Sequence, residues 1–133
     1  MMNLRDLCFR LEEDTMSMTW TSDRGRPWRH NIAVDRFWVV LRLVRRRLQD
    51  GEHLVLQELI SDTHYPAYQF HLVFRWLQAT GLIHRRFKSR YSFTTDEAGF
   101  CNRAAAAWVG ADEVEDVSDE TVAELFRGQV EGG

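Results

Sequence analysis

Residues 66–99, PAYQFHLVFRWLQATGLIHRRFKSRYSFTTDEAG, decide the fold. Pro66 suits the first turn of a helix, where its missing N–H goes unmissed. Phe70, Val73, Phe74 and Leu77 then recur at the spacing of one helical face, which predicts a helix over 66–80. Gly81 stands where a left-handed cap would end it. LIHRRF and RYSFT read as two short strands around KSR, a hairpin. Thr94 lies three residues before Glu97, a capping-box spacing that predicts the next helix. That helix runs to about Trp108 and presents Phe100, Ala104, Ala107 and Trp108, with a smooth alanine run at 104–107.

Upstream, residues 34–49, VDRFWVVLRLVRRRLQ, place Phe37, Val40, Leu41, Val44 and Leu48 on one face. Arg42 and Arg46 point the other way. Trp38, Val39 and Leu43 widen the apolar surface, so this helix is expected to be buried on more than one side. Gly51 breaks it, and residues 54–61 form a short helix burying Val55, Leu56, Leu59 and Ile60. At the N-terminus Leu4, Leu7, Cys8 and Leu11 have helical spacing and predict a short helix over 3–14. Met16, Met18 and Trp20 instead alternate with Ser17, Thr19 and Thr21, and SDRGRP follows as a turn, so 16–32 is a hairpin or an extended arm. Past residue 109 the chain is acidic, with Ser118 placed to cap a last short helix carrying Val122, Leu125 and Phe126.

The chain of 133 residues is one domain by size, large enough for a real core. Its net charge of −3 conceals three blocks. Residues 24–103 hold 14 Lys or Arg against 7 acids, a net +7, while residues 104–133 hold one Arg against 8 acids, a net −7. A basic body with an acidic appendage suggests a partner of nucleic acid. No run of about 18 apolar residues is present, so no membrane span is expected. The opening MMNLRDLCFRLEED is too charged for a secretory signal, which points to the cytoplasm. There Cys8 and Cys101 are expected to remain free thiols. His30, His53, His64, His71 and His84 are scattered, with no zinc-ligand spacing, so no metal and no cofactor are assigned. No glycine-rich phosphate loop, nucleophile elbow or His-Glu-x-x-His occurs, and no catalytic residue is assigned.

The order helix, short helix, longer helix, basic hairpin, helix resembles a winged helix-turn-helix domain over residues 34–109. VLQELI stands for the second helix and PAYQFHLVFRWLQATGLI for the third and its exit. HRRFKSRYSFTTDEAG supplies the wing and the next helix. LQATGLIHRR and RYSFTTDEAG look like the exit from the recognition helix of MarR- and PadR-like bacterial regulators. The resemblance implies a mainly α fold with a small β-hairpin wing, an N-terminal helix or arm over 1–33 and an acidic tail over 110–133. It further implies a transcriptional regulator bound to double-stranded DNA. Helices outside the winged core, at 3–14 and 95–109, commonly supply a homodimer contact in such families.

A helix fits the major groove, and a hairpin can follow the backbone beside it. On the wing, Arg85, Arg86, Lys88 and Arg90 are the expected phosphate contacts. On the third helix the outward residues are Tyr68, His71, Leu72 and Arg75, flanked by Gln69 and Trp76. Only Gln69 and Arg75 among them are common base readers. Tyr68, Gln69, His71 and Arg75 are therefore expected to meet DNA by shape as much as by sequence, or to dock a protein partner within a larger complex. Arg42 and Arg46 are further candidates for backbone contact.

Overall fold

Glu13 is the smallest departure from the sequence expectations and the one that reshapes the N-terminus. The computed structural model describes residues 7–21 and 24–109. In it the predicted first helix is a strand, β1 (Cys8–Glu12), paired antiparallel with β2 (Thr15–Thr21). Glu13 takes a left-handed φ of 50°, so Glu13 and Asp14 form a tight two-residue turn between Glu12 and Thr15. The helical spacing of Leu7, Cys8 and Leu11 is overridden by this pairing. Leu7 and Phe9 pack inward while Cys8, Arg10 and Glu12 face water, the alternation of a strand, and Leu11 on the inner side is left 42% exposed. Residues 3–6 and the predicted tail helix lie outside the described residues.

β2 pairs in turn with β3 (Pro27–Ala33), so 16–32 is a hairpin and the first sheet has the order β1-β2-β3. The register puts Met16 opposite Ile32, Met18 opposite His30 and Trp20 opposite Trp28. Facing pairs share one side of a sheet, so these six residues form a single inner face. Its base, Met16, Met18 and Ile32, is buried in the main core.

The first helix, α1 (Val34–Gln49), has the predicted bounds. Asp35 in its first turn and Arg46 and Arg47 in its last complement the helix dipole. Residues 54 and 55 form a short strand, β4 (Leu54–Val55), before α2 (Leu56–Asp62) and α3 (Ala67–Ala79). Pro66 stands one residue ahead of α3, at its N-cap. The exit of α3 is a Schellman motif: Leu82 N–H donates to Leu77 O at 2.8 Å and Gly81 N–H to Gln78 O at 3.1 Å. This geometry requires Gly81 at φ +77°.

β5 (Ile83–Phe87) and β6 (Arg90–Phe93) are the predicted hairpin, and β4 pairs with β6 to give a second sheet of order β4-β6-β5. α4 (Glu97–Val109) follows. Its cap is Asp96, whose carboxylate accepts Gly99 N–H at 2.9 Å, rather than Thr94. The Thr94 hydroxyl donates to Gly81 O at 2.6 Å, tying the end of the hairpin to the exit of α3.

Four aromatic rings lock the helices together. Phe37 of α1 lies 5.1 Å from both Trp76 of α3 and Trp108 of α4, and Trp38 lies 4.8 Å from Trp108. α3 is buried on two sides, which corrects the outward placement of Leu72 and Trp76. Leu72 is 0% exposed and Trp76 4%. Phe37 of α1 and Trp108 of α4 pack against Trp76, at 5.1 Å and 6.5 Å, partners that the spacing within the helix could not reveal. The result is a mixed α+β molecule of four helices and two small antiparallel sheets among the described residues.

Candidate nucleic-acid interface

The β5–β6 hairpin projects its cations into water. His84, Arg85, Arg86, Phe87, Lys88 and Arg90 are all exposed. Inward anchoring comes from Ile83 and Tyr91, the latter with its ring 5.0 Å from Phe74 of α3. The register shifts between Arg85 and Phe87, a bulge on β5. Phe87 then faces Arg90, and Arg86 Nε donates to Ser92 Oγ at 3.0 Å. Arg86 and Arg90 therefore share the face away from Tyr91, whereas Arg85, opposite Tyr91, stands on the other. Lys88 sits in the turn at φ 54°, where Arg85 Nε donates to its carbonyl at 2.9 Å.

The electrostatic state of these groups differs from that of the arginines on α1. Arg47 is met by three carboxylates, Glu52 at 2.9 Å, Glu58 at 3.4 Å and Asp62 at 3.2 Å. Arg45 pairs with Glu97 at 3.0 Å. Glu97 also accepts from Gln49 at 2.6 Å; these bonds from Gln49 and Arg45 hold its carboxyl below the usual range. On the hairpin, by contrast, Arg85 and Arg86 bond only neutral oxygens. Among the described residues no carboxylate pairs with Arg85, Arg86, Lys88 or Arg90. The sequence carried this signal in a form easily passed over: residues 63–95 contain no Asp or Glu at all.

The α3 candidates are held differently. Gln69 accepts from Arg36 at 3.2 Å, and that guanidinium lies 3.7 Å over the Tyr65 ring. Tyr68 is exposed but its ring lies 5.2 Å from His30 of β3. His71 and Arg75 flank the same cleft, which Met18, Trp20 and His30 close from the sheet side. His71 is exposed at the edge of the cleft; partial desolvation of its ring there first, then the nearby positive charges of Arg75 and His30, push its pKa down, which favours the neutral imidazole. Arg46 is exposed on α1 and Arg42 half-buried; the Arg42 Nε is buried with no hydrogen-bond partner.

The structure thus gathers Tyr68, His71 and Arg75 at one cleft, and Arg85, Arg86, Lys88 and Arg90 on one hairpin. Arg42 and Arg46 lie on α1, beside a separate concavity. Sequence reasoning missed Trp20 and His30 as neighbours of α3, with Trp28 stacked on Trp20 beyond them. Their period-two placement was visible, but the strand register that aligns them was not. Cys8 is exposed and Cys101 buried, both unbridged. Among the described residues no cluster suited to a metal occurs, and no helix is long and apolar enough to cross a membrane. No family model, curated protein or solved structure matches this chain.

Proposed function

We propose that residues 34–109 are a winged helix-turn-helix unit that binds duplex DNA through its basic hairpin, as a cytoplasmic, homodimeric transcriptional regulator without catalytic activity. The order α1, β4, α2, α3, β5, β6 and the sheet order β4-β6-β5 support the winged reading. The observation that carries the functional reading is the hairpin's unneutralised charge. Four cations stand exposed without a carboxylate partner, while Arg45 and Arg47 on α1 are already compensated. Only uncompensated cations release counterions efficiently when they meet phosphates.

The hairpin positions the protein on the backbone, and α3 adds little base readout. Gln69 is engaged by Arg36, and the face with Tyr68, His71 and Arg75 looks into the cleft against the first sheet. Binding is therefore expected to be tolerant of sequence. The test is titration of a labelled duplex of about two helical turns with the wild type, the Arg86→Ala/Lys88→Ala/Arg90→Ala variant and an Arg103→Ala control on α4. The triple variant should lose at least about tenfold in affinity, a difference well within reach of three phosphate contacts. The control should bind as the wild type does. Equal affinity for all three proteins, or none for the wild type, would remove the proposal.

A further inference from the structure

The inner face of the first sheet changes character along its length. Its base is aliphatic and sulfur-bearing and lies in the core; its far end is a row of rings. Trp28 lies 6.2 Å from Trp20 with planes 11° apart, Trp20 lies 5.1 Å from His30 with planes 2° apart, and His30 lies 5.2 Å from Tyr68 on α3. The row leads into the cleft of about 280 Å³ bounded by Met18, Trp20, His30, Tyr68, His71 and Arg75. That volume is close to the roughly 300 Å³ at which sites for small molecules begin.

The cleft's charge is unusual. Its titratable groups are His30, His71 and Arg75, with Tyr68 beside them, and no carboxylate lines it. Arg75 is half-buried, and no acceptor or acid engages its guanidinium among the described residues. A fixed cation beside flat apolar walls is poorly solvated and lacks a counter-charge. One anionic group on a planar ring would supply both missing contacts. Its charge would pair with the Arg75 fork, and its ring would lie against Trp20, His30 and Tyr68. The neutral imidazole of His71 can donate one further hydrogen bond.

We propose that this cleft binds a small planar anion, an aromatic or heteroaromatic ring bearing one carboxylate or phosphate. The site stands apart from the basic hairpin, none of whose residues lines it, although it takes in Tyr68, His71 and Arg75, which the sequence offered as DNA contacts. The test is calorimetric titration of the full chain with 2-naphthoate, adenosine monophosphate, inorganic phosphate and the uncharged naphthalene-2-carboxamide. At least one of the two ring-bearing anions should bind saturably, and whichever binds tells carboxylate from phosphate. Phosphate alone and the carboxamide should bind at least about tenfold more weakly than that ligand.

Arg75→Met keeps the aliphatic stem and removes the charge, and Tyr68→Ala removes an exposed ring without touching the core. Each should weaken binding by at least about tenfold, with circular dichroism unchanged for Tyr68→Ala. The hairpin triple variant should bind the ligand as the wild type does, whatever its behaviour with DNA. Failure of both ring-bearing anions to bind would overturn the site, as would undiminished binding by both cleft variants. Phosphate binding as tightly as the nucleotide, or loss of binding in the hairpin variant, would overturn it too.

Discussion

His71 shows how far one residue's surroundings set its chemistry. Partial desolvation of this exposed side chain and two neighbouring positive groups favour its neutral form in the folded protein, whereas the unfolded chain takes up a proton near pH 6.5. Below that pH the unfolded state binds more protons at this position, so stability rises with pH through the window and falls on acidification. His71→Gln should therefore flatten the decline of Tm between about pH 7.5 and 5.5, which thermal unfolding at several pH values measures. Parallel profiles for the two proteins would contradict the assignment. Gly81 is the second residue whose role is local. An added Cβ would meet nothing within 4 Å, but φ is +77°. Gly81→Ala should cost about 1 kcal/mol through backbone conformation alone, read by urea denaturation. No loss would mean that the turn relaxes freely.

Among the elements, those with internal punctuation were legible in the sequence. α1 is bounded by its own apolar pattern, and α3 by Pro66 and Gly81. The hairpin was legible too, because KSR separates two short strand patterns. β1 was not, since Leu7, Cys8 and Leu11 satisfy a helical spacing and the turn at Glu13 and Asp14 has no glycine or asparagine to announce it. Strand pairing is a long-range event, and nothing in a segment's own spacing reports its partner. The same gap hid the flank of α3. Trp76 reads as a surface residue until Phe37 of α1 and Trp108 of α4 are placed against it, after which it is 4% exposed. Trp76→Ala is expected to destabilise the protein by about 3–5 kcal/mol, the range for deleting a large buried ring. A surface tryptophan would cost less than about 0.5 kcal/mol. Chemical denaturation distinguishes the two.

Across the whole molecule, the proposed function rests on a charge pattern that the sequence showed and not on a site that it showed. The basic middle block predicted a polyanion partner, but it counts Arg45 and Arg47 equally with Arg86 and Arg90. Only three-dimensional neighbours separate arginines that staple helices from arginines that remain uncompensated. The cleft beside Arg75 was illegible for a related reason, since its walls come from residues 18–30 and 68–75. The central claim is that the hairpin makes the phosphate contacts. Its most direct measurement is the slope of log affinity against log salt for a duplex, over about 50 to 200 mM. Each phosphate contact contributes about 0.9 to that slope. The wild type should show a steep negative slope, and the Arg86→Ala/Lys88→Ala/Arg90→Ala variant one shallower by about 2.7. Identical slopes for the two proteins would contradict the account.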